Sequence, residues 1–475
     1  MAKVVFVQNL WADILGPMYI SALLRKHGHS SEIVIESAGT KRLVQDIVEI
    51  SPDIICFYCT TGLHLWALDR ASHLRYREDL LVVFGGPHPT YNPEIINSPS
   101  VDAVCCGEGE EAILELADAL DLDRLALRVN ISNLWLKSKG CVHKNHIRPL
   151  VNDLNSLPFP DRTYYERYDY FRRTGVHSFI SSRGCPYKCS YCSNDKLMEV
   201  YSGKGKFMRQ RDPDNVIDEI LYVQKKYGLR LVNFYDDTFI FNRRWLELFL
   251  EKYGSKVRLP FHCNIRADLV GADIVSSLKS AGCQTVAFGI ESGNSQLRNL
   301  VLKKRVSDDQ IVNTAKLLKE QGIRFKTYNM LGLPGEKLSD AFQTIELNTR
   351  IGTDFPWCSI FTPYPETEIA KYAKEKGFLS LDYDVDKIPT LYLARSVLHQ
   401  EDIESVVNLQ KFFHIAVKIP CTIPLIKLLI KLPQNKIFDL IYFVIYSYHQ
   451  LFRLYSMRLF EFVNTCFLSR NLNKK

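Results

Sequence analysis

The sequence predicts an α/β protein in which two series of alternating strands and helices are followed by an apolar helical region. Short apolar runs alternate with helical segments, and this alternation is typical of parallel sheets covered by helices. A length of 475 residues exceeds one ordinary domain, and a Pro-rich stretch interrupts the alternation once. We therefore expect two α/β domains and a C-terminal helical region.

The composition is that of an ordinary folded protein, with 46% apolar and 24% charged residues. A formal net charge of +7 is mild and diffuse, so we expect no nucleic-acid partner. The first residues, Met1–Val7, resemble a strand and have no features of a secretory signal. Because 13 cysteines occur without such a signal, we expect a cytoplasmic protein whose cysteines bind metal or pack, rather than form disulfides.

The first series covers residues 1–145, which we expect to form a doubly wound domain. Its predicted strands are Val4–Val7, Glu32–Ile35, Asp53–Tyr58, Leu80–Phe84 and Val101–Cys105. Its predicted helices are Gly16–His27, Arg42–Glu49, Leu65–Tyr76 and Glu110–Ala119. Ligands of such sheets bind beyond the carboxyl ends of the strands. Three strands end in glycine-containing segments, at 60–62, 85–90 and 107–110, which favours a ligand over ordinary turns.

Residues 121–160 are interpreted as a connector that ends in Leu157-Pro158-Phe159-Pro160. Two prolines this close together forbid a continuing helix or a central strand. We place the linker between the domains at residues 146–175.

The second series covers residues 176–378. Its predicted strands are His177–Ser181, Leu231–Tyr235, Phe261–Ile265, Thr285–Gly289, Arg324–Met330 and Cys358–Phe361. The predicted helices are Val216–Tyr227, Arg243–Tyr253, Ile274–Ala281, Asp309–Glu320 and Asp340–Thr349. Six strand–helix units are fewer than the eight of a closed α/β barrel, so we expect a partial barrel.

The C-terminal region, residues 379–475, contains the apolar runs Leu425–Leu432 and Ile437–Phe452. Asp439 interrupts the second run, which is shorter than the roughly 20 residues of a membrane span. Two interpretations stay open: a helical cap packed on the barrel, or a helix resting on a membrane surface.

The most specific motif is Cys185-x3-Cys189-x2-Cys192, directly after the first strand of the second series. Three thiolates from one loop can hold three irons of a cubane iron–sulfur cluster and leave the fourth iron open to a small molecule. One alternative is a zinc-stabilised binding module with Cys263 or His262 as fourth ligand. Another is a closed cluster that only transfers electrons.

The cysteine loop, with Tyr191 before Cys192, resembles that of the radical S-adenosylmethionine (SAM) superfamily, as do the later Gly-Ile-Glu-Ser-Gly and Gly-Leu-Pro-Gly segments. The resemblance implies an enzyme whose 4Fe-4S cluster reductively cleaves SAM to a 5′-deoxyadenosyl radical. It implies cluster ligation by the three cysteines and SAM contacts elsewhere in the barrel. By this resemblance, Tyr191, Gly332 and Leu333 would contact the adenine of SAM, and Asp236 and Asp237 its amine. Arg266 would bind the carboxylate, and Glu291 would bind the ribose or the methionine portion.

The first domain resembles the flavodoxin-like, Rossmann-type cobalamin domain of one radical SAM subgroup. The resemblance rests on the Gly85-Gly86-Pro-His-Pro-Thr and Gly107-Glu-Gly-Glu segments and on the Pro-rich linker. It implies cobalamin as a second cofactor, bound near Thr61, Gly85 and Gly86. Methionine-synthase-type domains carry Asp-x-His-x-x-Gly after the first strand, whereas Asn9–Gly16 has no histidine. Cobalt therefore has no protein ligand from this segment, or the domain no longer binds cobalamin.

The subgroup's chemistry makes methylation of an unactivated carbon the leading expectation. Oxidative cyclisation, as in anaerobic magnesium-protoporphyrin ester cyclase, is the alternative. We expect a small-molecule, lipid-like or tetrapyrrole-like substrate and a reductant such as flavodoxin or ferredoxin. The apolar, lysine-containing C-terminus is compatible with a membrane surface as a further partner.

Overall fold

The computed structural model describes residues 1–37, 39–122, 130–388 and 395–454. The chain forms two compact units, and each is described by itself. The first unit contains residues 1–174 and 197–209, and the second contains residues 175–196 and the described residues from 210 onward.

The first unit is built on a seven-stranded sheet with the order β2-β1-β3-β4-β5-β6-β7. Its strands are β1 Lys3–Gln8, β2 Ser30–Ile35, β3 Ile54–Tyr58, β4 Leu81–Gly85, β5 Ala103–Cys105, β6 Leu134–Ser138 and β7 Cys141–Lys144. Its helices are α1 Leu15–Lys26, α2 Thr40–Ile50, α3 His64–Ser72, α4 Pro87–Tyr91, α5 Glu110–Leu122, α6 Tyr164–Arg167 and α7 Asp169–Thr174. The first five strands are parallel, and their order is that of flavodoxin-like folds.

The hairpin β6–β7 lies inside the stretch interpreted as a connector and pairs antiparallel to β5. Lys139 and Gly140 form its two-residue turn, and both have positive φ, 49° and 77°. Paired positive φ values are the signature of the tight hairpin turn that matches strand twist. β6 has only three apolar residues, Leu134–Leu136, and β7 is largely exposed, so the apolar pattern of the hairpin is too short to predict it.

Residues 146–174, expected as most of the linker, belong to the first compact unit. Arg162, which is fully buried, donates from Nη1 to the Tyr165 hydroxyl at 2.8 Å. Asp13, in the loop after β1, accepts from the hydroxyls of Tyr164 and Tyr165 at 2.8 and 2.5 Å. A buried cation and carboxylate joined by phenol hydroxyls therefore fasten this segment onto the sheet.

The second unit is built on six parallel strands in the order β15-β14-β13-β12-β11-β8. They are β8 Val176–Phe179, β11 Leu231–Phe234, β12 Phe261–Asn264, β13 Cys283–Glu291, β14 Arg324–Leu331 and β15 Phe355–Ile360, while β9 Ser182–Arg183 and β10 Arg209–Gln210 are short strands. Helix α8 Ser193–Val200 begins in the second unit and ends in residues assigned to the first. The other helices of the second unit before the C-terminal region are α9 Pro213–Tyr227, α10 Arg243–Lys256, α11 Ala272–Ser280, α12 Asp308–Glu320, α13 Leu338–Arg350 and α14 Glu368–Glu375. Each of the six strands predicted for the barrel is present, and the described part of the sheet has β8 and β15 as its edges.

The C-terminal helices are α15 Ile403–Lys418, α16 Ile423–Leu429 and α17 Lys436–Ser447. Helix α15 buries Val406, Phe412 and Phe413 in a core shared with Cys358 and Ile360 of β15. Helix α17 then packs on α15, with the rings of Phe438 and Phe412 4.8 Å apart. In the part of the chain that the structure describes, we find no helix with the length and apolar character needed to cross a bilayer.

Candidate active site

The cysteine loop follows β8 at the carboxyl edge of the parallel sheet. Cys189 is buried, and Cys185 and Cys192 are partly exposed. Ser190 ties the loop down, because its backbone N–H donates to Leu302 O at 3.1 Å and its hydroxyl to Val301 O at 2.6 Å. Burial raises the pKa of the Cys185 thiol and raises the pKa of Cys192 to about 12. Holding these groups as thiolates therefore requires a positive partner such as iron.

The zinc alternative requires a fourth protein ligand beside the three cysteines. Among the described residues, no three His, Cys, Asp or Glu side chains are close enough together to hold one metal ion. The fourth ligands considered for zinc are engaged elsewhere: the Cys263 thiol forms a hydrogen bond with the Cys283 thiol, and His262 Nε2 lies 3.4 Å from Gln284 Oε1.

Arg266, after β12, braces the cysteine loop. Its guanidinium carbon lies 3.5 Å from the centre of the Tyr187 ring, and Nη1 points at Cys189 Sγ from 3.9 Å. Nε and Nη2 donate to the Asp268 carboxylate at 3.0 and 3.1 Å, and Nη2 also donates to Lys304 O at 2.9 Å. Binding a SAM carboxylate, the expected role of Arg266, would require one of these contacts to be exchanged.

Glu291 is the centre of a buried charged group at the end of β13. Its Oε1 accepts from Lys304 Nζ at 2.6 Å and from the Tyr191 hydroxyl at 3.0 Å. Glu291 has φ +66°, a strained conformation for a residue other than glycine. Such strain is typical of functional positions, and here it directs the carboxylate toward the cysteine loop. Lys304 was missed from sequence, where Lys303-Lys304-Arg305 resembles an ordinary solvated basic run.

Gly289 makes room for this charged group. A Cβ atom at position 289 would overlap the Glu291 carboxylate and the Lys304 ammonium group. A side chain at position 289 would therefore displace the ends of this charged pair, a relation that motif spacing alone does not reveal.

The two aspartates after β11 differ in what surrounds them. Asp236 is fully buried and accepts from the Ser181 N–H at 3.1 Å and from the hydroxyls of Ser181 and Ser182 at 2.7 and 2.5 Å. Asp237 is exposed beside Cys185 and Cys192, and its Oδ2 accepts from Asn194 Nδ2 at 2.9 Å. Asp236 is therefore engaged by serines, whereas the Asp237 carboxylate lies beside two of the three cysteines.

The Gly332-Leu333-Pro-Gly turn after β14 is held by Glu336. The Glu336 carboxylate accepts from the N–H groups of Gly332 and Leu333 at 2.5 and 3.2 Å. Gly332 has φ +78°, which glycine adopts without penalty. Burial raises the pKa of Glu336 to about 8. This buried carboxyl group fixes the backbone expected to face adenine, and it was absent from the predicted site.

The first unit brings Thr61 together with the Gly85-Gly86 segment at the ends of β3 and β4. Thr61 Oγ1 lies 3.2 Å from His88 Nδ1, and the His88 ring stacks on His64 at 4.0 Å. Burial, and then the neighbouring His64, lower the pKa of His88 to about 3. Gly86 has φ +103°, and a Cβ there would press on the Tyr58 ring. These residues form a neutral, closely packed cradle that fits a large cofactor contacted mainly through the backbone.

The glycine-containing segment at 107–110, expected to face a ligand, is instead filled by the protein itself. A Cβ at Gly107 would overlap the Tyr201 hydroxyl, which accepts from the Glu108 N–H at 2.6 Å. The Glu108 carboxylate pairs with Arg209 Nη2 at 2.8 Å. Of the three glycine-containing strand ends, those after β3 and β4 therefore remain as the candidate cofactor site of this unit.

Comparison with known families identifies both parts. The model of the Radical SAM superfamily matches residues 179–347, and the model of the B12 binding domain matches residues 9–117. The first unit therefore contains a B12-binding domain, and the second contains a radical SAM domain. The protein is an enzyme. The radical SAM domain implies a 4Fe-4S cluster and SAM as cofactors, and the B12-binding domain supports cobalamin.

Curated relatives match most of the chain. An uncharacterized methyltransferase of Pyrococcus horikoshii is 29% identical over 374 residues, covering 77% of this chain and 79% of the relative. The anaerobic magnesium-protoporphyrin IX monomethyl ester cyclase of Rubrivivax gelatinosus is 26% identical over 376 residues, covering 75% of this chain and 66% of the cyclase.

Solved structures share the fold of this protein. The radical SAM methyltransferase TsrM from Kitasatospora setae, solved with tryptophan and a SAM analog, matches with TM-score 0.66 and 17% identity over 79% of this chain and 76% of that one. The cobalamin-dependent SAM radical enzyme OxsB, solved with aqua-cobalamin and SAM, matches with TM-score 0.68 and 17% identity over 99% and 80%. The expected doubly wound domain and partial barrel are thereby confirmed.

Proposed function

We propose that this protein is a cobalamin-dependent radical SAM methyltransferase that methylates an unactivated carbon of a small-molecule or lipid-like substrate. The observation that carries the proposal is the presence in one chain of the three-cysteine loop and a B12-binding domain. The relative from Pyrococcus horikoshii and the TsrM structure, both named as methyltransferases, support the same reaction class.

Each part of the barrel site would have a separate task. Cys185, Cys189 and Cys192 would hold the cluster, and the exposed Asp237 beside them would accept hydrogen bonds from the SAM amine. When bound, the cluster supplies the electron that cleaves SAM, and cobalamin supplies a carrier for the methyl group.

Glu291 would bind the ribose or methionine portion of SAM. Lys304 and Tyr191 hold its carboxylate in one orientation, so no side-chain freedom is lost when SAM binds. The Gly332-Leu333 backbone, fixed by Glu336, would form a flat surface against adenine. These roles are proposals built on contacts within the second unit.

Oxidative cyclisation is the second candidate, because the Rubrivivax gelatinosus relative is named as a cyclase. For either reaction we propose a cytoplasmic protein that receives electrons from a carrier such as flavodoxin or ferredoxin. The two reactions differ in how SAM is consumed, and this difference can be measured without knowing the substrate.

The test is anaerobic reconstitution with iron and sulfide, followed by incubation with reductant and SAM, with and without cobalamin. Methyl transfer predicts S-adenosylhomocysteine whose formation depends on cobalamin, together with 5′-deoxyadenosine. A fully reconstituted protein that releases only 5′-deoxyadenosine under both conditions would exclude methylation and leave the cyclase candidate. The Cys189→Ser protein is the negative control and should form neither product.

A further inference from the structure

The C-terminal helices expose an unusually apolar surface. Among the described residues, 19 large apolar side chains are exposed, and nine of them lie between residues 419 and 448. We call these nine the C-terminal apolar face: Ile419, Leu425, Leu428, Leu432, Ile437, Leu440, Phe443, Val444 and Tyr448. Exposed apolar side chains scattered singly are normal, but a cluster of this size marks an interaction site.

Helix α17 shows why this face is not the outer side of an ordinary surface helix. Phe438 is 6% exposed and packs inward, whereas Ile437, Leu440 and Val444 are 68%, 60% and 56% exposed. The three exposed residues are spaced i, i+3 and i+7, so they share one side of the helix. A helix that is apolar on its packed side and again on its outer side is stable only when both sides are covered.

The charges around the face indicate what covers it. Exposed Lys427, Lys431 and Lys436 lie within the same segment. Asp439 is the only acidic residue between 419 and 448, and it pairs with Lys411 at 3.2 Å. Apolar side chains bordered by unneutralised lysines are the pattern of helices that lie in the headgroup region of anionic bilayers. A second copy is disfavoured, because a symmetric interface would bring the same lysines together.

We propose that the C-terminal apolar face binds the surface of an anionic lipid bilayer, with α16 and α17 lying in the headgroup region. The leucines would enter the acyl boundary, and the three lysines would contact lipid phosphates. This inference is independent of the proposed methylation, since it concerns where the protein resides and involves neither cofactor nor reaction.

The test is flotation of the full chain with vesicles of phosphatidylcholine alone or mixed with phosphatidylglycerol. We expect binding to the mixed vesicles that weakens as salt is added. The triple variant Leu428→Gln, Leu432→Gln and Leu440→Gln should bind at least about tenfold more weakly. The matched control replaces three other exposed leucines, Leu65→Gln, Leu122→Gln and Leu248→Gln, and should bind like the original protein.

Several results would overturn the proposal. One is absence of binding to mixed vesicles, and another is equal loss of binding in the two leucine variants. A third is a dimer in solution that the C-terminal triple variant dissociates, which would assign the face to a second copy. If that variant fails to fold, replacing the three lysines by glutamine decides instead, because the bilayer proposal requires that variant to lose its preference for anionic vesicles.

Discussion

The carboxyl ends of the two parallel sheets present different kinds of side chains. In the barrel, charged side chains converge: Lys304 holds Glu291 at 2.6 Å, and Arg266 points at Cys189. In the first unit, the strand ends present glycines, a threonine and the neutral stacked imidazole of His88. One sheet edge is built from fixed charges, and the other from close-packed neutral groups.

The difference follows from the size and charge of what each edge would hold. SAM carries an amine, a carboxylate and a sulfonium, so oriented charges give both affinity and direction. Cobalamin is large, and a broad surface with backbone close to the ligand can hold it without any charged pair. The comparison therefore predicts that replacing a single side chain has a larger effect in the barrel than in the first unit.

The largest effect should come from the cysteine loop. Cys189→Ser removes one thiolate and leaves the cluster with two cysteine ligands from the loop, so we expect loss of the brown colour, most of the bound iron and all SAM cleavage. Cys141→Ser, in an exposed position on β7 of the first unit, is the matched control and should retain all three. Retention of cluster and SAM cleavage by the Cys189 variant would refute the assignment of this ligand.

Gly289→Ala should have the next largest effect. The added methyl group would overlap the Glu291 carboxylate and Lys304, and relieving such overpacking typically costs about 1–3 kcal/mol. SAM affinity should fall by about ten- to a hundredfold if Glu291 is displaced, as measured by calorimetry on the reconstituted protein. Gly16→Ala, where nothing lies within 4 Å of the new Cβ, is the control. Unchanged affinity for SAM in the Gly289 variant would remove Glu291 from the site.

Much of the fold could be predicted because buried parallel strands leave a strong apolar signal. β14, for example, was expected over Arg324–Met330 and is found at Arg324–Leu331. The hairpin β6–β7 was missed because β6 offers only three consecutive apolar residues and the edge strand β7 is short and largely exposed. The three cysteines could be singled out because three thiols within eight residues are typical of metal and cluster sites, and the resemblance to a known motif then implied cluster ligation.

The supporting residues of the site could not be predicted, for physical reasons. An aspartate after a strand can face a ligand, like Asp237, or accept hydrogen bonds from serines, like Asp236, and the sequence pattern is the same. Lys304 reaches Glu291 only because of a loop conformation and the missing side chain at Gly289. The periodicity of the sequence does not indicate which side chains meet in this way in the folded protein.

The buried carboxyl group of Glu336 should make stability fall as pH rises. Its pKa in the folded protein, about 8, exceeds the ordinary value of 4.5, so the folded state binds the proton more tightly between these values. Stability present below pH 4.5 is therefore lost as the pH rises through 8, by at most about 5 kcal/mol. Glu336→Gln should remove this loss in urea denaturation at stepped pH, whereas exposed Glu247→Gln should not. Parallel pH profiles for the Glu336 variant and the original protein would contradict the burial argument.

His88 in the first unit should show the opposite and smaller dependence. Its folded-state pKa of about 3 lies below the ordinary 6.5, so the unfolded state binds the proton more tightly. Stability present above pH 6.5 is then lost as the pH falls toward 3. The loss should be smaller than for Glu336, because His88 lies in α4, a five-residue helix that can open locally and limit the cost of protonation. His88→Gln should reduce the loss of stability at acid pH, measured as the free energy of unfolding in urea at stepped pH. The exposed His73→Gln should leave this pH dependence unchanged. If the His88 variant keeps the full acid dependence, burial of a neutral His88 imidazole does not account for the acid sensitivity of this sheet edge.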